Sequence, residues 1–371
     1  MILHLLTDEK FTDYAIQQFS APEMESEFVL IPSNNMMEYV KLIDKCTIVR
    51  QQSHELDALL NRLGQYTSIV LHGLFWGKWQ TPILQRVPSH VRVAWVFWGG
   101  DIYSRREVES QFLAPITGFL YRWHERKNNV TPNTSWEIPF DLFNRIDFCL
   151  TSIVEEYEFA KQYTAAPFIH RWYTYYSLEE TIGSLMDKCC EGNNIWIGNS
   201  AAEWNNHFDA LWKLRRGGLL SKLKSEKVII PLSYGSPWIR NSVMKLGKLL
   251  LGKHMQALTE FMPREEYNKL MLSCSSMIVN YYEPAANGNI ITALWLGMRV
   301  YISERNLAYD CYKRLGLSVF SLESDLNTYG TTKLSDEERA ENRKVLTLWY
   351  GKQHVIEAVT KIAKELNTPK K

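Results

Sequence analysis

The amino-acid sequence predicts an α/β fold in two halves, each a parallel sheet with helices between its strands. Three observations lead there. Short runs of β-branched and aromatic residues alternate with helix-spaced segments along the chain. Those strand-like runs end in small polar or glycine-containing turns, as strands do where they feed a helix. Residues 277–302, MIVNYYEPAANGNIITALWLGMRVYI, read as a complete strand, loop, helix and strand.

Within that stretch, residues 277–282 are the first strand and residues 290–296 the helix. Gly297 stops the helix, and residues 299–302 return as a second strand. The loop between them lies at the carboxyl end of a strand, where ligands bind in open α/β sheets. Gly288 lets the backbone approach a ligand closely, and Asn287 and Asn289 can cap or take left-handed geometry. Unpaired N–H groups of a helix starting at Ile290 would favour an anion. Glu283, at the mouth, can accept hydrogen bonds from sugar or ribose hydroxyls. An ordinary βα turn with a capping Asn would look the same, so the reading needs support from elsewhere in the chain.

In chain order, residues 2–6 are an apolar strand and residues 12–19 a helix. Residues 28–31 form a strand closed by Pro32, residues 56–63 a helix ended by Gly64, and residues 68–71 a strand that opens into His72-Gly73. Residues 91–98 form the next strand and run into Gly99-Gly100-Asp101. Asp101, beside glycines at a strand end, is placed to act as general base for a hydroxyl; a helix cap or turn residue has the same spacing. His72 is read as a base, a phosphate ligand when protonated, or a satisfied histidine at a strand end.

Phe112, Ile116, Phe119, Leu120 and Trp123 recur at helical spacing, with Arg122, Arg126 and Lys127 on other faces. That stripe can pack on the domain core or rest on an anionic membrane. Residues 128–137 are a polar surface loop. Residues 146–151 are a strand, residues 155–163 a helix, and the domain boundary falls within residues 177–194.

The pattern then restarts. Residues 195–197 are a strand ending in Gly198-Asn199-Ser200, before a helix near Glu203. Residues 228–232 are a strand ending in Ser233-Tyr234-Gly235, and Pro263 opens a helix through Cys274. Three strand ends rich in backbone donors are what a nucleotide diphosphate requires. Ile356, Val359, Ile362, Ala363 and Leu366 make an amphipathic C-terminal helix. The expected division is 1–180, an acceptor-binding Rossmann-like domain; 190–350, a nucleotide-sugar-binding Rossmann-like domain; and 351–371, the helix.

Composition narrows the function classes. The chain has 371 residues and a formal net charge of +1, so no global attraction to nucleic acid is expected. Its 13 Trp, 19 Tyr and 15 Phe suit carbohydrate contact and core packing equally. No apolar run approaches the ~20 residues of a membrane span. The opening MILHLLTDEKF lacks the features of a signal peptide. The 6 cysteines form no CxxC pair, which favours reduced structural thiols in a cytoplasmic protein. No Asp-x-Asp occurs, so no metal or other cofactor is expected. No Gly-x-Gly-x-x-Gly follows the first strand, which argues against a dehydrogenase.

Two Rossmann-like domains facing a central cleft is the plan of GT-B glycosyltransferases. The chain also resembles the TDP-N-acetylfucosamine:lipid II N-acetylfucosaminyltransferases, glycosyltransferase family 56, of enterobacterial common antigen synthesis. The matching residues are His72-Gly73 with Phe75, Trp98-Gly99-Gly100-Asp101-Ile102-Tyr103, Ile197-Gly198-Asn199-Ser200, residues 231–235 and residues 288–300. The chain departs from that family at Gly100 and around Glu283-Pro284. The resemblance implies a TDP-linked amino-deoxysugar (TDP-Fuc4NAc) as donor and a polyprenyl-diphosphate-linked saccharide as acceptor. It further implies an inverting transfer at the inner face of the cytoplasmic membrane, where residues 112–123 are the candidate for peripheral contact. A related sugar in an O-antigen or capsule pathway fits as well. A GT-B-type sugar-nucleotide epimerase and a non-catalytic sugar-nucleotide or glycan-binding protein are the alternatives.

Overall fold

The computed structural model describes residues 1–33, 37–130 and 134–370. The chain forms two compact units. The first comprises Met1–Arg105, Asn133–Ser177 and Tyr350–Lys371; the second comprises Arg106–Pro132 and Leu178–Trp349.

The first unit holds a seven-stranded parallel sheet. Its strands are β1 (Ile2–Leu6), β2 (Ser26–Leu30), β3 (Thr47–Ile48), β4 (Ser68–His72), β5 (Arg92–Val96), β6 (Phe148–Leu150) and β7 (Ile169–Arg171). They lie in the order β3-β2-β1-β4-β5-β6-β7. β1 and β4 are mostly apolar and buried along their whole length, as strands covered on both faces must be. Helix Lys352–Asn367 covers part of one face, its Val355, Val359, Ile362, Ala363 and Leu366 packing with Ile2, Leu6, Ile16 and Phe19. The C-terminal helix is therefore core material of the first unit. Its apolar stripe uses Val355 in place of the expected Ile356, which is exposed.

The second unit holds six parallel strands: β8 (Asn194–Ile197), β9 (Val228–Pro231), β10 (Met255–Leu258), β11 (Cys274–Val279), β12 (Arg299–Ile302) and β13 (Val319–Ser321). Their order is β10-β9-β8-β11-β12-β13. Between β11 and β12 runs helix Asn287–Leu296, buried from Ile290 to Leu296 and closed by Gly297 at φ 83°. It starts three residues earlier than its sequence suggests, because Ala286 takes a left-handed N-cap conformation at φ 52°. Asn287, Gly288 and Asn289 are thus the helix's first turn and not a loop before it.

Helix Pro115–Lys127 belongs to this second unit, although sequence order groups it with the first sheet. The cause is a cap supplied from a distance. Asp209, on helix His207–Arg216, accepts the amides of Ile116 (2.9 Å) and Thr117 (2.8 Å) and the Thr117 hydroxyl (2.7 Å). Asn206 accepts the Ala114 amide at 2.7 Å. A carboxylate at a helix N-terminus satisfies orphan donors and meets the favourable end of the dipole. So held, the helix turns Ile116 and Leu120 onto the second core and leaves Phe119 and Trp123 exposed, at 65% and 52%. The expected apolar stripe is split between core and solvent.

Replacing Asp209 by Ala strands buried amides and should cost about 2–3 kcal/mol of stability. Denaturant unfolding followed by tryptophan fluorescence will show the midpoint fall, with Asp209→Asn recovering part of the loss.

Candidate functional site

In the second sheet the chain moves outward from β8 through β9 to β10, then returns to the other side of β8 as β11. The crevice for ligands in such a sheet lies at this reversal, outside the carboxyl ends of the two strands. The turn after β8 is Gly198-Asn199-Ser200. Gly198 sits at φ 65°, and a Cβ there would lie 2.6 Å from the His207 ring and 2.7 Å from Asn205 Oδ1, so only glycine fits. Asn205 fixes the turn by accepting from the Asn199 amide and donating to Ser200 Oγ, each at 2.9 Å. His207 Nε2 meets the Ser200 carbonyl at 2.7 Å. Burial pulls the His207 pKa down to about 4, so the ring is neutral and donates there through Nε2–H.

The turn after β9 docks on this one. Asn199 Nδ2 donates to the Tyr234 hydroxyl at 2.9 Å, and Gly235, at φ 108°, pairs with Ala201. The Ser233 carbonyl accepts from Arg240 at 2.9 Å, while Lys245 and Lys248 stay in solvent. After β11 comes Glu283, buried, its carbonyl held by Asn306 Nδ2 at 3.1 Å. Helix Asn287–Leu296 follows. The amides of Asn289 and Ile290 both bond to the Ala286 carbonyl. Those of Asn287 and Gly288 have no acceptor among the described residues. Two unclaimed N–H groups at the positive end of a helix, beside a switch point, have the geometry that favours an anion. Asn199 Oδ1, buried and without a partner, is a further unsatisfied group at the same sheet edge.

The donor-site residues read from sequence, Gly198 to Ser200, Ser233 to Gly235, Glu283 and Asn287 to Asn289, thus all lie on turns at the carboxyl edge of one sheet. Two of the expected roles change. Asn287 accepts from the Tyr312 hydroxyl at 3.2 Å and Asn289 donates to the Tyr267 hydroxyl at 2.8 Å, so neither caps its own helix. Asn205, His207 and Tyr267 were not singled out from sequence. The polar run Asn205-Asn206-His207, soon after Gly-Asn-Ser, is the signal that was present for the first two.

In the first sheet the reversal falls between β1 and β4. Asp101 is fully buried beside it. Its Oδ1 accepts the Leu74 amide (2.7 Å); its Oδ2 accepts Trp95 Nε1 (2.8 Å) and the Trp98 amide (2.9 Å). Burial raises its pKa to about 6 against the pull of those donors. A carboxylate so enclosed pins the turn after β4 to the turn after β5, and has no face open to a substrate hydroxyl. His72 is likewise enclosed. Its Nδ1 meets the Tyr175 hydroxyl at 2.9 Å, which also accepts from Trp98 Nε1 at 2.7 Å, and its Nε2 meets His4 at 3.2 Å. Burial drives the His72 pKa down to about 3, so the ring is neutral and holds no anion by charge. In this geometry neither Asp101 nor His72 presents an open face to a substrate hydroxyl, so the general-base expectation gains no support from it; each instead bonds to the groups around it.

Two acids that sequence reasoning passed over stand out instead. Glu9 follows β1 at the reversal, half-buried, with desolvation raising its pKa. Glu156 lies under the turn after β6, bonded to Thr151 Oγ1 (2.5 Å) and the Tyr103 hydroxyl (3.4 Å), and burial raises it to about 8. Only long-range packing reveals either. No cluster of three or more His, Cys, Asp or Glu arranged to hold a metal occurs among the described residues.

No protein-family model matches the chain, and neither does any curated protein. Solved structures do. A glycosyltransferase from Rickettsia africae superposes with a TM-score of 0.65 at 11% identity, covering 98% of both chains. The lipopolysaccharide outer core galactosyltransferase WaaB gives 0.58 at 8% identity, over 99% of this chain and 100% of that one. A trehalose-6-phosphate synthase, studied for glycosyl transfer with retention, gives 0.58 at 10% identity over 100% of both. The fold is the GT-B type, with two Rossmann-like domains.

Asp101→Asn places an NH2 group against N–H donors and should destabilise the protein by about 2–4 kcal/mol, seen as a lowered melting temperature. A second expectation concerns pH. The folded pKa of Glu156, about 8, lies above the ordinary 4.5. The stability tied to its protonated form is therefore complete below pH 4.5 and lost as pH rises through about 8. Melting temperature should fall from pH 5 to pH 9, and Glu156→Gln should flatten that decline.

Proposed function

We propose that this chain is a glycosyltransferase that moves an amino-deoxysugar from a nucleoside diphosphate, TDP in the first instance, onto a polyprenyl-diphosphate-linked saccharide of a bacterial surface polysaccharide. The observation that carries the reading is the pair of unclaimed amides of Asn287 and Gly288 at the reversal of the second sheet, beside the Gly198-Asn199-Ser200 turn. Support comes also from the GT-B fold and from the resemblance to family 56. N-acetylfucosamine is the proposed sugar, and the inner face of the cytoplasmic membrane the proposed place of reaction.

The chemistry follows from the groups present. A base takes the proton of the acceptor hydroxyl as its oxygen forms a bond to the anomeric carbon. The bond from that carbon to the diphosphate breaks, and the electron pair leaves with the diphosphate. Negative charge grows on the leaving group, and amides already aimed at it stabilise that charge without reorganising. Metal is not required in this scheme. Glu283 would accept from ribose or sugar hydroxyls. Glu9, at the reversal of the first sheet, where desolvation raises its pKa and makes its carboxylate a stronger base, is the proposed base. Direct displacement inverts the anomeric centre; the fold hosts retaining enzymes too, so the product's configuration is a test in itself.

The first measurement is a thermal-shift screen with TDP, UDP and GDP in the presence of EDTA. Selective stabilisation by TDP, about 2–3 kcal/mol at a hundredfold excess over Kd, supports the donor reading; selectivity for another base overturns the TDP assignment. With a lipid-linked acceptor, Glu9→Gln should cut turnover by about 10²–10⁴-fold and leave the TDP shift in place. A variant that turns over normally removes Glu9 from the mechanism.

A further inference from the structure

The outer face of helix Pro115–Lys127 meets the requirements of a membrane-docking surface. Phe119, Arg122, Trp123, Arg126 and Lys127 are all exposed. At 100° per residue they share an arc of about 140°. The opposite arc is occupied: Thr117 and Gly118 are buried, Leu120 packs on the second core, and His124 stacks on Trp238 with ring centroids 4.2 Å apart. Asp209 holds the first turn through three hydrogen bonds, so the helix cannot roll its aromatics inward.

Charge on this face has one sign. Among the described residues Arg122, Arg126 and Lys127 make no ion pair, and the Lys127 ammonium lies 4.9 Å from the Trp123 ring centre. The helix's own acid, Glu125, turns away to pair with Arg106 at 3.5 Å. Large exposed aromatics ringed by cations, with no acid among them, complement an interface of anionic headgroups over an apolar interior.

We infer that Phe119 and Trp123 insert into the surface of an anionic lipid bilayer while Arg122, Arg126 and Lys127 engage its headgroups. The inference extends the lipid-linked-acceptor reading, and its test contains neither donor nor acceptor, so each can fail without the other. The intact protein is sedimented with phosphatidylcholine vesicles, with and without phosphatidylglycerol. Binding is expected to the anionic vesicles alone and to weaken with added salt. At about fivefold per cation, R122Q/R126Q/K127Q should lose on the order of a hundredfold in partitioning. F119S/W123S should lose at least about tenfold. Both variants should keep the wild-type melting temperature.

A second basic and apolar patch, Lys245, Lys248 and Leu249 on helix Pro237–Leu251, serves as control. If wild type ignores anionic vesicles, or if both helix variants bind as wild type does, the inference is overturned. It is also overturned if K245Q/K248Q/L249S abolishes binding, or if the aromatics instead mediate a concentration-dependent dimer.

Discussion

Parallel strand pairing is the constraint on which the rest of this molecule depends. A parallel ladder needs a crossover after every strand, and right-handed crossovers return each chain segment to the same end of the sheet. All carboxyl ends therefore gather along one edge, whatever their separation in sequence. Gly198, Tyr234 and Gly288 owe their shared edge to this rule, and so do His72, Asp101 and Thr151 in the other unit. Where the strand order reverses, two adjacent crossovers diverge and a crevice opens.

The two sheet edges carry different polar arrangements. In the first unit Asp101 gathers donors from the turns after β4 and β5, and His4, His72, Tyr175 and Trp98 close on one another. Within that group His4 Nε2 is buried without a partner among the described residues. In the second unit an Asn oxygen and two helix amides lack partners among the described residues, and Ala286 holds a left-handed conformation that costs of order 1 kcal/mol in a residue with a Cβ. Unmet polar groups and a strained backbone residue thus occur together at this sheet edge.

The helix after the first sheet's fifth strand illustrates how a few hydrogen bonds redirect a segment. Asp209 and Asn206 take up its leading amides, and residues 106–132 are thereby joined to a core built mostly from residues beyond 177. Once fixed, that helix has one face for packing and another for solvent, and its aromatic residues are divided between them.

The sequence by itself determined the α/β class, most strands of both sheets, and the unit from β11 through Gly297 to β12, because short β-branched and aromatic runs and glycine stops are local signals. It also marked the strand ends that carry the candidate donor site, since Gly198 and Gly235 stand where backbone conformation and close approach restrict the side chain. Tertiary structure alone decided which acid is buried and engaged, as with Asp101 and Glu156, and which lies at a reversal, as with Glu9. It alone assigned helix Pro115–Lys127 to the second unit and moved the start of the helix after β11 back to Asn287. Hydrogen-bond partners, burial and pKa depend on neighbours distant in the chain, and no local pattern encodes them.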